Sequence, residues 1–218
     1  MSMPPEAPPP ILPPPGTRIY LASRSPRRRD LLRQIGVGFE VLSLREGRER
    51  EVDVDETPLP GEVPDAYVLR VAAAKADTGW RRLTERRLTR LTHLPVLAAD
   101  TTVCLGTEIL GKPANREDAS RMLRALSGSE HRVLTAVAVR FGERLETALS
   151  DTLVRFIPLT EQDIAAYVAL DEPMDKAGAY AIQGRAAAFV ERLHGSYTGV
   201  MGLPLQETAM LLARIRQG

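Results

Sequence analysis

The chain has 218 residues, enough for one large domain or two small lobes and for a substantial buried core. Its 29 basic and 28 acidic side chains leave a net charge of +1, which excludes an overall field drawing it to nucleic acid or an anionic membrane, so phosphate binding has to rest on local clusters. A single cysteine, Cys104, excludes an internal disulfide framework and fits a reducing, cytoplasmic setting; no apolar run reaches the roughly 18–20 residues that cross a bilayer, and the N-terminus lacks the pattern of a signal peptide.

Residues 1–16 are rich in proline, which supplies neither a hydrogen-bonded helix nor a central strand, and they read as an extended, mobile tail ahead of a domain covering 17–218. The globular pattern begins with a short strand at 18–23. Ser25-Pro26 then opens a helix to about residue 35, with serine at the cap and proline at the first helical position. A second strand at 39–42 leads into a charged stretch reaching Pro64. Residues 65–92 read as a long helix or two, with alanines at 72–74 and a basic outer face from Trp80 to Arg90. Strands are expected at 95–100 and 102–105, a helix at 116–126, and two long strands at 131–141 and 146–157 that alternate as an antiparallel pair would. Thr160-x-x-Asp163 is a weakened capping box starting another helix. A glycine-rich segment at 176–202 holds a strand near 189–193, and a helix from 204 to about 216 closes the chain. The sum is an α/β fold with a mixed sheet.

The most informative segment is Pro95-Val-Leu-Ala-Ala-Asp100-Thr101-Thr102. A short buried strand ending on a carboxylate is where an α/β fold presents chemistry to solvent, so Asp100 is either a catalytic residue or the cap of a turn. Ser23-Arg-Ser-Pro-Arg27-Arg28-Arg29 puts cations at the positive end of a helix, against the dipole. A bound polyanion would account for that arrangement; an exposed basic turn is the other reading. Lys75 projects from an alanine run, and Lys112 is held between Gly111 and Pro113. The stretch from Glu172 to Gly184 mixes polar, glycine and apolar residues as a binding loop pressed on a core does. Cys104 reads as a small buried hydrophobe, and His93, His131 and His194 are too dispersed to specify a catalytic histidine.

Taken together these segments resemble the Maf family of nucleoside triphosphate pyrophosphatases. The resemblance runs from about Arg18 to Leu212 and is carried by LASRSPRR at 21–28, VDET at 54–57, AAAKA at 72–76, AADT at 98–101, GKP at 111–113, LSGSEHRVLTAVAV at 126–139, EPMDKAGAYAIQG at 172–184 and GSYTGVMGLPL at 195–205. It implies a Maf/ITPase-like fold, with an elongated mixed sheet, flanking helices and two lobes around a deep cleft. The implied reaction is hydrolysis of a nucleoside triphosphate between the α and β phosphates, with a divalent metal cation, Mg or Mn.

The same resemblance assigns roles. Asp100 would be the base, and Glu56 with Asp100 would hold the metal. Ser25, Lys75 and Lys112 would meet phosphates. Arg27, Thr101 and Gln183 match the branch acting on dTTP and UTP, with modified pyrimidine nucleotides as further substrates. A glutamine amide offers the donor and acceptor that pair with a pyrimidine's N3–H and carbonyl. Two alternatives stay open: the 7-methyl-GTP branch, and a regulatory protein of cell division and septum formation. Related proteins often dimerise, so a homodimer is also implied; neither nucleic acid nor membrane is expected as a partner. The chain departs from the family at Arg24, where a small residue is usual, at Ala186, where glycine is frequent, and in a longer stretch at 43–55.

Overall fold

The computed structural model describes residues 12–44, 53–85 and 93–215. They form one seven-stranded mixed sheet covered by helices on both faces. Along the chain come β1 (Arg18–Leu21), α1 (Pro26–Gln34), β2 (Gly38–Val41), α2 (Pro64–Glu85), β3 (Val96–Leu105), β4 (Glu108–Leu110) and α3 (Arg116–Leu126). They are followed by β5 (Glu130–Phe141), β6 (Arg144–Phe156), α4 (Glu161–Val168), β7 (Val190–His194), α5 (Tyr197–Val200) and α6 (Leu205–Arg214). The strand order is β2-β1-β3-β5-β6-β7, with β4 paired to β3. β1 runs parallel to β2 and β3, whereas β3, β5, β6 and β7 pair antiparallel.

Strand alternation divides the core. Val96 and Ala98 join Ala136 and Ala138 on the face covered by α2, while Leu97 and Ala99 join Val137 and Val139 beneath α1 and α6. On α2 the buried positions Val68, Val71, Ala72, Lys75, Ala76, Gly79 and Leu83 recur at helical spacing and form one stripe. Each fully buried Val or Leu in it stabilises the fold by about 1.5–3 kcal/mol. The sheet beneath is built of small residues, and α2 comes in close: a Cβ on Gly79 would lie 2.9 Å from a Val96 methyl. A third cluster packs α3 and α4 around Phe156.

The N-terminal signals account for several boundaries. Asn115 caps α3 by accepting the Asp118 N–H, and Thr160 with Asp163 completes the capping box on α4. Ser25 has the extended backbone of a cap before Pro26, but its side chain makes no capping bond. Of the proline-rich stretch, residues 1–11 lie outside the described residues. Pro13 is buried, and the Pro14 carbonyl accepts both the N–H and the hydroxyl of Thr17 (3.1 and 2.7 Å), so the chain is tied down from Pro13 onward.

One expectation is corrected. The strands expected at 95–100 and 102–105 are a single ten-residue strand, β3, paired with β5 from Val96 through Cys104. Asp100 is therefore in mid-strand, opposite Ala136, and does not end a strand. The polar run Asp100-Thr101-Thr102 is tolerated because β1 reaches only to the level of Leu97, leaving that edge of β3 open until β4 takes it up at Val103. The expected basic face from Trp80 to Arg90 is described only as far as Glu85; there Trp80 packs edge-on to Phe141, with ring centres 5.9 Å apart. No helix among the described residues is long and apolar enough to cross a membrane.

Candidate active site

Where β1 stops, a cavity of about 630 Å³ opens, and Asp100, Thr101, Arg27, Ser25, Glu56, Lys75, Lys112 and Gln183 all line it. Strand parity sets their layout. Asp100 shares the face of Val96 and Ala98, under α2, while Thr101 points to the face of α1.

On the α2 side, Lys75 extends from the buried stripe and its Nζ lies 2.8 Å from Asp100 Oδ1 and 2.9 Å from Glu56 Oε1. Lys75 and Asp100 are 6% and 7% exposed. Burial alone would push the Lys75 pKa down, but the Asp100 and Glu56 carboxylates outweigh it and hold the pKa above the ordinary lysine value. From its alanine run Lys75 thus reaches the cavity wall, where its ammonium bridges the two carboxylates.

Glu56 is presented by a loop fastened to α2. The Tyr67 hydroxyl donates to the Glu56 carbonyl (3.0 Å), and Arg70 donates to the Thr57 carbonyl (3.0 Å) while pairing with Glu62 (2.6 Å). The Arg70 guanidinium, with the Leu59 N–H, holds the Glu62 carboxyl down at about 2.

On the α1 side, Arg28 donates from Nε to the Gly202 carbonyl (2.8 Å), from Nη1 to Ser23 Oγ (3.1 Å) and from Nη2 to Thr101 Oγ1 (3.3 Å). Thr101 also meets the hydroxyl of Thr135, directly opposite it on β5, at 3.0 Å. Of the arginine run, Arg27 and Arg28 line the cavity, whereas Arg29 turns back to the Arg24 carbonyl. Successive helical residues point about 100° apart, so three in a row cannot share one site.

The third wall comes from the segment before β7. The chain passes through two left-handed residues, Gly178 (φ 67°) and Ala179 (φ 59°). A Cβ on Gly178 would meet the Val103 side chain at 2.9 Å, so only glycine fits there. Asp175, Lys176 and Tyr180 line the cavity with Gln183, and Asp175 pairs with Lys176. Ala186 is fully buried and is not among the residues of positive φ, so alanine costs that turn nothing. The arginine run marked Arg28 on the sequence, whereas Tyr67, Lys176 and Tyr180 were not singled out there. The signal for Lys176 was present, a cation in the same segment as Gln183, but nothing local marked the two tyrosines.

Tyr180 is backed by a buried aromatic cluster. Its hydroxyl lies 2.8 Å from His131 Nε2, and both rings pack edge-on to Phe156. Burial pushes the His131 imidazole down to about 4, and its Nδ1 has no partner among the described residues. Unfolded histidine titrates near 6.5. Between pH 6.5 and 4 the unfolded chain takes up a proton that the folded chain refuses, so stability falls as pH drops through this window and levels off below it. The contribution is about 3 kcal/mol. Urea unfolding of wild type and His131→Gln from pH 7.5 to 4 is expected to show a stability difference between the two that varies with pH by this amount; a constant difference would mean that His131 titrates normally.

The Maf-like protein family model matches residues 18–215. Curated relatives include a dTTP/UTP pyrophosphatase of Aromatoleum aromaticum, 59% identical over 89% of this chain and 94% of that protein. Others carrying that name are from Nitrosomonas europaea, 55% identical over 93% and 96%, and Burkholderia lata, 52% identical over 98% and 99%. A family match over nearly the whole globular part and relatives of this identity agree with the motifs around the cavity: the chain belongs to the Maf family.

Proposed function

We propose that this protein hydrolyses dTTP and UTP to the nucleoside monophosphate and pyrophosphate. The observation that carries the reading is the Asp100–Lys75–Glu56 cluster on the wall of a cavity also lined by Arg27, Arg28, Lys112 and Lys176. A triphosphate brings several negative charges, and the cations are spread around the cavity as an extended anion requires. The names of the relatives support the bond and the bases.

In this reading a water held by Asp100 attacks the α phosphorus. A new O–P bond forms at the α phosphorus, the bond from that phosphorus to the oxygen bridging it to the β phosphorus breaks, and pyrophosphate leaves with the bridging oxygen and the electron pair. Lys75 fixes Asp100 Oδ1, which leaves Oδ2 to accept the water's proton. Ser25, Lys112 and the bridging Lys75 meet phosphate oxygens, and Arg28, already fixed on Ser23, Thr101 and Gly202, adds charge without a further ordering cost.

Among the described residues no three His, Cys, Asp or Glu side chains come together as a metal site. Two carboxylates completed by substrate phosphates nevertheless suit Mg²⁺ or Mn²⁺, which take oxygen donors and keep waters. Glu56 and Asp100 would hold the ion, which when bound supplies charge neutralisation on the phosphates. The reading includes a free nucleotide as partner, a homodimer, and a cytoplasmic setting. That setting is supported by the single cysteine of the sequence, which leaves no internal disulfide to form.

Gln183, with Arg27 and Thr101, is the proposed base reader. A buried donor or acceptor left unmatched costs about 1–3 kcal/mol, up to roughly a hundredfold in kcat/KM. Steady-state kinetics with dTTP, UTP, ATP, GTP and 7-methyl-GTP is expected to favour the first two, and Gln183→Glu to lose that preference. A wild-type preference for 7-methyl-GTP, or an unchanged dTTP-to-GTP ratio in Gln183→Glu, would contradict the assignment.

A further inference from the structure

Gln183 sits on a four-residue turn closed by the Gly184 N–H donating to the Ala181 carbonyl (3.0 Å). Such a turn has no stiffness of its own, yet a side chain that reads a base has to be held to a fraction of an ångström. The hold comes from outside the cavity. Tyr167, 3% exposed on α4, donates its hydroxyl to Glu172 Oε1 (2.7 Å) and accepts the Ala181 N–H (3.2 Å). The same Glu172 oxygen accepts the Arg185 N–H (3.2 Å). The two backbone bonds therefore grip the chain on both sides of Gln183, at Ala181 and Arg185, and both lead to one carboxylate.

The fit is close. A Cβ added to Gly184 would collide with the Glu172 carboxylate, which lies directly on the backbone of the residue after Gln183. Tyr167 keeps its place by packing edge-on to Phe189, with ring centres 5.3 Å apart. Burial, then the bond to Glu172, raises the Tyr167 pKa, so the phenol stays a neutral donor at working pH. Neither Tyr167 nor Glu172 is among the residues lining the cavity.

We propose that Tyr167 and Glu172 are positioning residues that set the orientation of Gln183 and so determine base choice without touching the nucleotide. The proposal rests on Gln183 being the base reader. It makes base selectivity depend on a hydroxyl that must donate and accept at once, which phenylalanine cannot replace although it keeps the ring packing.

The test is kcat/KM for dTTP and GTP in Tyr167→Phe, Glu172→Ala, Glu172→Gln and Gln183→Ala, and in the Tyr167→Phe/Gln183→Ala double variant. Tyr167→Phe and Glu172→Ala are expected to lower the dTTP-to-GTP ratio about tenfold, the scale of one lost hydrogen bond. The loss should enter through KM for dTTP, with kcat changed less than about twofold. Glu172→Gln keeps an acceptor oxygen and should retain the wild-type ratio. In the Gln183→Ala background Tyr167→Phe should change the ratio no further, because the side chain it positions is gone. If Tyr167→Phe does not fold, Glu172→Ala against Glu172→Gln carries the same comparison. An unchanged ratio in Gln183→Ala would overturn the base reading itself. A ratio lowered by Gln183→Ala but untouched by Tyr167→Phe and Glu172→Ala would overturn the positioning proposal and leave the base reading standing.

Discussion

Asp100→Asn is expected to fold normally and to lower turnover of dTTP by at least about a hundredfold, the low end for loss of an acid–base group. Asparagine has nearly the shape of aspartate and still offers an oxygen to Lys75, and Lys75 keeps Glu56 as its counter-charge 2.9 Å away. What is removed is a basic oxygen at the open edge of β3, beyond the end of β1. Steady-state rates on variant protein with an unchanged melting temperature check this. Activity within a few-fold of wild type would take Asp100 out of the chemistry.

The complementary change, Lys75→Met, is expected to act on stability. It strands the Asp100 carboxylate, 7% exposed, without its cation. Removing one partner of a buried ion pair typically costs 3–5 kcal/mol, chiefly because the other charge is left uncompensated. Glu56 suffers less, since 39% of its side chain reaches solvent. The double variant Lys75→Met/Asp100→Asn should therefore recover much of the loss, because no charge is left stranded. Urea unfolding at pH 7 measures both, and a Lys75→Met protein as stable as wild type would show that the bridge does not hold the site together.

Much of the fold could be read from the chain because local signals and packing agree. Thr160 with Asp163 marks the start of α4, and the alternation in 131–157 announces the β5–β6 pair. The reading failed at Asp100-Thr101-Thr102, where polar residues look like a break. Only the distant fact that β1 ends beside Leu97 explains why a strand carries them through. The burial of Lys75 went unannounced for a different reason. An alanine run suits both a close-packed and an exposed helix, but counting from Val68, Val71 and Ala72 puts position 75 on the buried stripe. The arginine run announces Arg28 but not its distant partners Gly202 and Thr101, and Tyr180 and the Tyr167–Glu172 hold rest on hydroxyl and backbone groups that carry no periodicity, so no local pattern announces them.

The most direct measurement is the stoichiometry of products from dTTP incubated with the purified protein and Mg²⁺ or Mn²⁺, resolved by chromatography. One dTMP and one pyrophosphate are expected for each dTTP consumed, with no dTDP at any time. Formation of dTDP with inorganic phosphate, or binding of dTTP without turnover, would contradict this.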